Sequence, residues 1–125
     1  MDNRARVRAL RGATTVERDA PADIRTATRE LLEAIVERNS LDTGDIISAI
    51  FTVTSDLRSE FPARAARELG WHDIPLLCTV EIPVPGALDR CIRVLLHAEI
   101  AMSRDAMRHV YLRGARALRP DLLAD

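Results

Sequence analysis

Arg93 stands inside Cys91-Ile92-Arg93-Val94-Leu95-Leu96-His97, a run that is otherwise apolar up to its histidine. Tyr111 lies in Arg108-His109-Val110-Tyr111-Leu112, Arg119 lies in Leu118-Arg119-Pro120, and Arg11 precedes the small pair Gly12-Ala13. A guanidinium among apolar or small neighbours is costly unless an anion meets it, and its planar fork suits a carboxylate. Small residues beside Arg11 leave room for a ligand or for another chain. These positions point to recognition of a small anion. Proton-transfer or metal chemistry has little to stand on. His72, His97 and His109 share no ligand spacing, and neither a His-Glu-x-x-His run nor a paired-carboxylate arrangement occurs. His109, beside Arg108, reads as structural or solvated, and Cys91 as core packing. Gly12, Gly44, Gly70, Gly86 and Gly114 form no phosphate-binding loop, so no nucleotide cofactor is expected, and no metal.

Arginine supplies all 18 basic side chains of this chain and lysine none, and it also fills helical positions expected to be exposed, such as Arg25 and Arg29. Only oddly placed arginines therefore carry information. The formal net charge is -1, which leaves no global field to draw in nucleic acid or an acidic membrane. With aromatic residues at 3%, there is no base-stacking platform either. Two cysteines, Cys78 and Cys91, are too few for a disulfide framework or a cysteine-based zinc site. A charged N-terminus (Asp2, Arg4, Arg6, Arg8) without an apolar stretch behind it argues against a signal peptide, and no run approaches the ~20 apolar residues that span a bilayer. The expected setting is cytoplasmic.

The elements that must position these residues follow from periodicity. Val7 to Thr15 reads as a strand. Asp19-Ala20-Pro21 opens a helix, whose apolar face Ile24, Ala27, Leu31, Leu32, Ile35 and Val36 runs down to Asn39. Ile46 to Thr54 reads as a buried strand, Pro62 to Gly70 as a short helix, and Ile74 to Ile82 as a third strand stopped by Pro83 and Pro85-Gly86. Ile92 to Ile100, beginning near Cys91, is a fourth strand on which Arg93 shares a face with Leu95 while Ile92, Val94 and Leu96 take the other. A third helix is expected from Ser103 to Leu112, carrying Tyr111 and ending at Gly114, followed by an extended tail from Ala115 to Pro120. The whole of residues 1–125 reads as one domain of α/β (α+β) class: a four-stranded mixed sheet with helices on one face. Its other face has no cover within the chain and is not polar, so oligomerisation through it follows.

The segments RGATTVERD, FPARAARELGW, CIRV, RHVYL and LRPDL resemble, in order and spacing, the small monofunctional chorismate mutases of the trimeric barrel type, over about Arg8 to Leu122. The resemblance implies a homotrimer whose sheets pack into a pseudo-α/β barrel, without cofactor, with chorismate pockets at the subunit boundaries. It implies that Arg93 reaches the ether oxygen of chorismate and that Arg11 and Tyr111 meet its carboxylates. Glu81 and Cys78 would lie near the ring hydroxyl, with Phe61 packed on the ring. Arg64, Arg67, Leu118 and Arg119 would line or close the pocket. Rearrangement of chorismate to prephenate moves no proton and needs no covalent intermediate, so fixed cationic donors and shape suffice. One geometric point stands out. Cys78 and Glu81 differ by three positions, so a regular strand points them to opposite faces, and a pocket lined by both within one chain requires a bulge or strand end near Thr79-Val80.

Two other readings fit an arginine-rich small trimer. An imine deaminase-like enzyme would need a positioned acid or water, for which Tyr111 with Glu81 is the candidate pair. A non-catalytic trimer could bind a small dicarboxylate.

Overall fold

In the computed structural model, which describes residues 4–118, β1 runs from Arg6 to Thr15 and leads into helix α1, Pro21–Arg38. Ala20 is extended at the helix start without a side-chain cap, and Pro21 occupies the first turn, where its missing N–H has no helical partner to lose. The face Ile24, Ala27, Leu31, Leu32 and Ile35 is wholly buried. Next come β2 (Ile46–Val53), helix α2 (Ala63–Glu68), β3 (Leu76–Val80) and β4 (Cys91–Ile100). A final short strand β5, Val110–Tyr111, is flanked by 3-10 turns at Arg104–Ala106 and Arg113–Ala117.

The sheet order is β3-β2-β4-β1-β5. β1 and β2 each run antiparallel to β4, which lies between them, while β3 lies parallel to β2 and β5 parallel to β1. Both helices pack on one face, where Leu10, Phe51, Val94 and Leu96 meet Leu31, Leu32, Ile35, Ala63, Ala66 and Trp71 in the main core. As alternation on β4 requires, Ile92, Val94 and Leu96 are buried on this side.

Three expectations need correction. The sheet has five strands among the described residues, not four. The expected helix from Ser103 to Leu112 is a single 3-10 turn followed by extended chain, and Tyr111 sits on a strand. Ser103 makes no side-chain cap. Distant contacts impose the extended path: the buried Asn39 at the end of α1 accepts from the Arg108 amide at 2.8 Å and donates to the Arg108 carbonyl at 2.9 Å. Held there, Val110–Tyr111 adds to the free edge of β1 opposite Gly12–Ala13. Finally, Ala115 to Ala117, expected as the start of an extended tail, lie in the 3-10 turn Arg113–Ala117. Gly114 does not end a helix; its amide donates to Thr15 Oγ1 at 3.0 Å, and a Cβ there would sit 2.9 Å from that oxygen.

Candidate active site

The strand registers set Thr79, Thr52, Arg93, Ala13 and Tyr111 in one row across all five strands, because each is the direct partner of the next. Partners in a ladder project to the same side, and this side faces away from the helices. A neighbouring row holds Leu77, Ile50, Leu95 and Arg11. Glu81, just beyond β3, continues the pairing through its amide to the Val53 carbonyl at 2.8 Å and turns its side chain over the first row. Arg11, Glu81, Arg93, Tyr111 and Leu118 thus line one cleft of about 330 Å³, floored by Ala13, Ile50, Thr52 and Leu95. That is within the size range of small-molecule sites.

Arg93 is the centre of this cleft. Its Nε is buried and makes no hydrogen bond; the nearest carboxylate oxygen, Glu81 Oε1, is 3.7 Å away, beyond hydrogen-bond range. That same oxygen accepts from Thr52 Oγ1 at 2.6 Å. Thr52 escaped the sequence reading, although its place opposite Arg93 follows once β2 and β4 are paired. The Arg11 amide donates to His109 Nδ1 at 3.0 Å, which gives that histidine a structural tie to the start of β5.

The small pair after Arg11 divides its roles. Ala13 faces the cleft, but Gly12 faces α1: a Cβ there would lie 2.7 Å from Ile35 Cδ1, 3.1 Å from Leu31 Cδ1 and 3.3 Å from the Val110 carbonyl oxygen. The room at Gly12 is therefore filled by the chain's own helix and is not left for a ligand.

Phe61 and Cys78 line a different hollow of about 360 Å³, together with Leu57, Pro62 and Val80. Strand β3 pairs regularly with β2, and Cys78 faces the helix side with its partner Phe51. No bulge brings Cys78 round to Glu81; within one chain they stand on opposite sides of the sheet. Burial pushes the Cys78 thiol above its ordinary value, with the Ala63 amide and then the Arg67 charge pulling the other way, so it is not poised as a thiolate. Arg64 and Arg67 are exposed on α2 beside this hollow. Phe61 is 66% exposed yet its backbone is anchored, since its amide donates to Glu60 Oε1 at 3.0 Å while Arg25 Nη1 donates to Glu60 Oε2 at 2.7 Å. Arg119 lies outside the described residues.

Among the described residues, no group of three or more His, Cys, Asp or Glu side chains is disposed to hold a metal ion, and no helix is long and apolar enough to cross a membrane. The chain matches the family model for chorismate mutase type I over residues 7–122. It is 54% identical over 117 residues to the chorismate mutase AroH of Thermus thermophilus, covering 93% of this chain and 96% of that protein. The chorismate mutase AroH of Bacillus subtilis (strain 168) is 44% identical over 117 residues, with 93% of this chain and 92% of that protein covered. A solved structure of a chorismate mutase from Clostridium thermocellum shares the fold with a TM-score of 0.87 at 47% identity, covering 88% of this chain and 98% of that one.

Proposed function

This chain belongs to the type I chorismate mutase family, and we propose that it rearranges chorismate to prephenate, a step of aromatic amino acid biosynthesis, in the cleft around Arg93. It is an intramolecular isomerase. The observation that carries the site assignment is the buried, unbonded Nε of Arg93 at the centre of a row that also presents Tyr111, with Glu81 and Arg11 beside it. The uncatalysed reaction is slow because the extended dianion must fold into a compact conformer and then build charge on its breaking ether oxygen. Arg11 and Tyr111 hold the carboxylates in the compact form, which removes an entropic part of the barrier. Arg93 then donates to the ether oxygen as charge develops there. Glu81 takes the ring hydroxyl as acceptor.

The pocket is shared between copies in this reading. Phe61, Arg64, Arg67 and Cys78 sit away from the Arg93 cleft in their own chain, so they serve a substrate only if a neighbour's cleft meets them. Apolar exposure at the β3 edge supports such a contact: Leu77 and Val80 are each 60% exposed, Ile82 79% and Val84 58%. In a homotrimer with its sheets packed into a pseudo-α/β barrel, each pocket takes Arg11, Glu81, Arg93, Tyr111 and Leu118 from one chain. Phe61, Arg64, Arg67 and Cys78 come from the next, and Arg119 closes the mouth. Both cysteines are free thiols, in keeping with a reducing cytoplasm. Adding the purified protein to chorismate should remove its absorbance and yield prephenate. Binding without turnover would leave a dicarboxylate-binding trimer, and release of ammonia from an imine substrate would favour the deaminase-like reading.

A further inference from the structure

The geometry points to Thr52 as a positioning residue that holds Glu81 off Arg93, keeping the guanidinium available for the breaking ether bond; this rests on the site reading above. Thr52 and Arg93 are direct partners on neighbouring strands, so their side chains rise side by side from the floor of the cleft. Glu81 reaches over them from the end of β3, and its Oε1 lies 2.6 Å from Thr52 Oγ1 but 3.7 Å from Arg93 Nε. One carboxylate oxygen thus has two candidate donors, and the neutral one holds it. In a partly dry cleft a carboxylate and a guanidinium at this separation would otherwise close into a charge-assisted pair at about 2.7–2.9 Å. Such a pair would occupy the Nε that is now buried and unbonded. Thr52 suits the task because a β-branched side chain on a strand has a restricted χ1, so its hydroxyl direction is set by the backbone.

With Thr52 as the restraint, Glu81 offsets the charge of Arg93 without consuming its donors. Thr52→Val keeps the shape and removes the donor. Glu81 should then fall onto Arg93, lowering kcat by about tenfold or more, the scale of one lost hydrogen bond to a charged group, while KM changes less. Thr52→Ser should restore kcat to within about threefold, since it keeps a hydroxyl at the same distance. In a Glu81→Ala background, Thr52→Val should have no further effect, because residues acting through one contact are not additive.

The experiment is steady-state kinetics with chorismate on folded assemblies of the parent, Thr52→Val, Thr52→Ala, Thr52→Ser, Glu81→Ala, Arg93→Ala and the double variant Thr52→Val/Glu81→Ala. Thr52→Ala stands in if the valine variant does not fold. A kcat for Thr52→Val within twofold of the parent overturns the inference. So does a serine variant as impaired as the valine one, or a Thr52→Val loss that persists undiminished without Glu81. If Glu81→Ala and Arg93→Ala themselves turn over normally, it is the site reading that fails, and the two failures are told apart in one set of measurements.

Discussion

Replacing Arg93 by Ala removes both the central donor of the cleft and the charge that offsets Glu81. The two contributions differ in size. A preorganised donor aimed at developing charge is worth about 3–4 kcal/mol, or ~10²–10³ in rate. The Arg93–Glu81 pair is weaker: at 3.7 Å, with side chains 43% and 28% exposed, solvent screening leaves it about 1 kcal/mol or less. The donor contribution dominates, so kcat should fall by about 10³ while KM shifts only a few-fold, as expected for an interaction made mainly in the transition state. Arg93→Lys tests the division. It retains the charge beside Glu81 and loses the planar fork, so it should recover the smaller contribution only and remain impaired by about 10² or more. Steady-state kinetics on folded assemblies of both variants, following chorismate absorbance, supplies the numbers. An alanine variant turning over within tenfold of the parent would refute the assignment of Arg93 to the ether oxygen.

Sedimentation or light scattering at micromolar concentration should give about three times the 13.9 kDa chain mass; a monodisperse, active monomer would rule out the shared pocket. Thr14 Oγ1 is buried without a hydrogen-bond partner, so Thr14→Val should stabilise the protein by roughly 1 kcal/mol in urea unfolding, since it removes a desolvated hydroxyl and keeps the β-branched shape. A destabilised variant would mean that the hydroxyl is satisfied. Acid should loosen the segment leading to Phe61. Asp19 is held below its usual 3.8 by the Ser59 hydroxyl and the Arg58 amide, and Glu60 below 4.5 by the Phe61 amide and Arg25. A depressed folded-state value means that the stabilisation is present above the unfolded one and is lost as pH falls through the depressed one. The thermal midpoints of the parent and the Asp19→Asn/Glu60→Gln variant should therefore converge below about pH 3.8. A gap that stayed constant from pH 6 to 3 would contradict this.

The parts of the fold that local pattern could reach were β1, α1, β2, α2, β3 and β4, all of which form within a few residues of where the sequence places them. The C-terminal segment was not legible in the same way. Met107, Val110 and Tyr111 fall at helical spacing, and Ser103 looks like a cap, yet what decides their conformation lies far off in sequence. Asn39 clamps Arg108 and the open edge of β1 takes Val110–Tyr111. Tertiary pairing overrides propensity most easily in short segments such as this, where few residues vote. Gly12 failed for a related reason: a glycine beside a functional arginine reads as space for a ligand until the helix that fills the space is in view.

The spacing of Cys78 and Glu81 was the most informative conflict in the sequence. Strand alternation puts them on opposite faces, while the family resemblance puts both at one substrate, and within a single chain only a bulge could reconcile the two. The register of β3 against β2 is regular, so alternation prevails in the chain. The resemblance can then hold only if two different chains supply Cys78 and Glu81. A sheet that exposes Leu77, Val80 and Ile82 at one edge and an arginine cleft on the face away from its helices, which the turn at Ala115 covers only beside β1 and β5, has both halves of such an arrangement. Electrostatic chemistry tolerates this division well. It requires donors fixed around an anion but no proton relay between adjacent side chains, so its parts can be delivered by separate subunits provided that each is rigid in its own sheet.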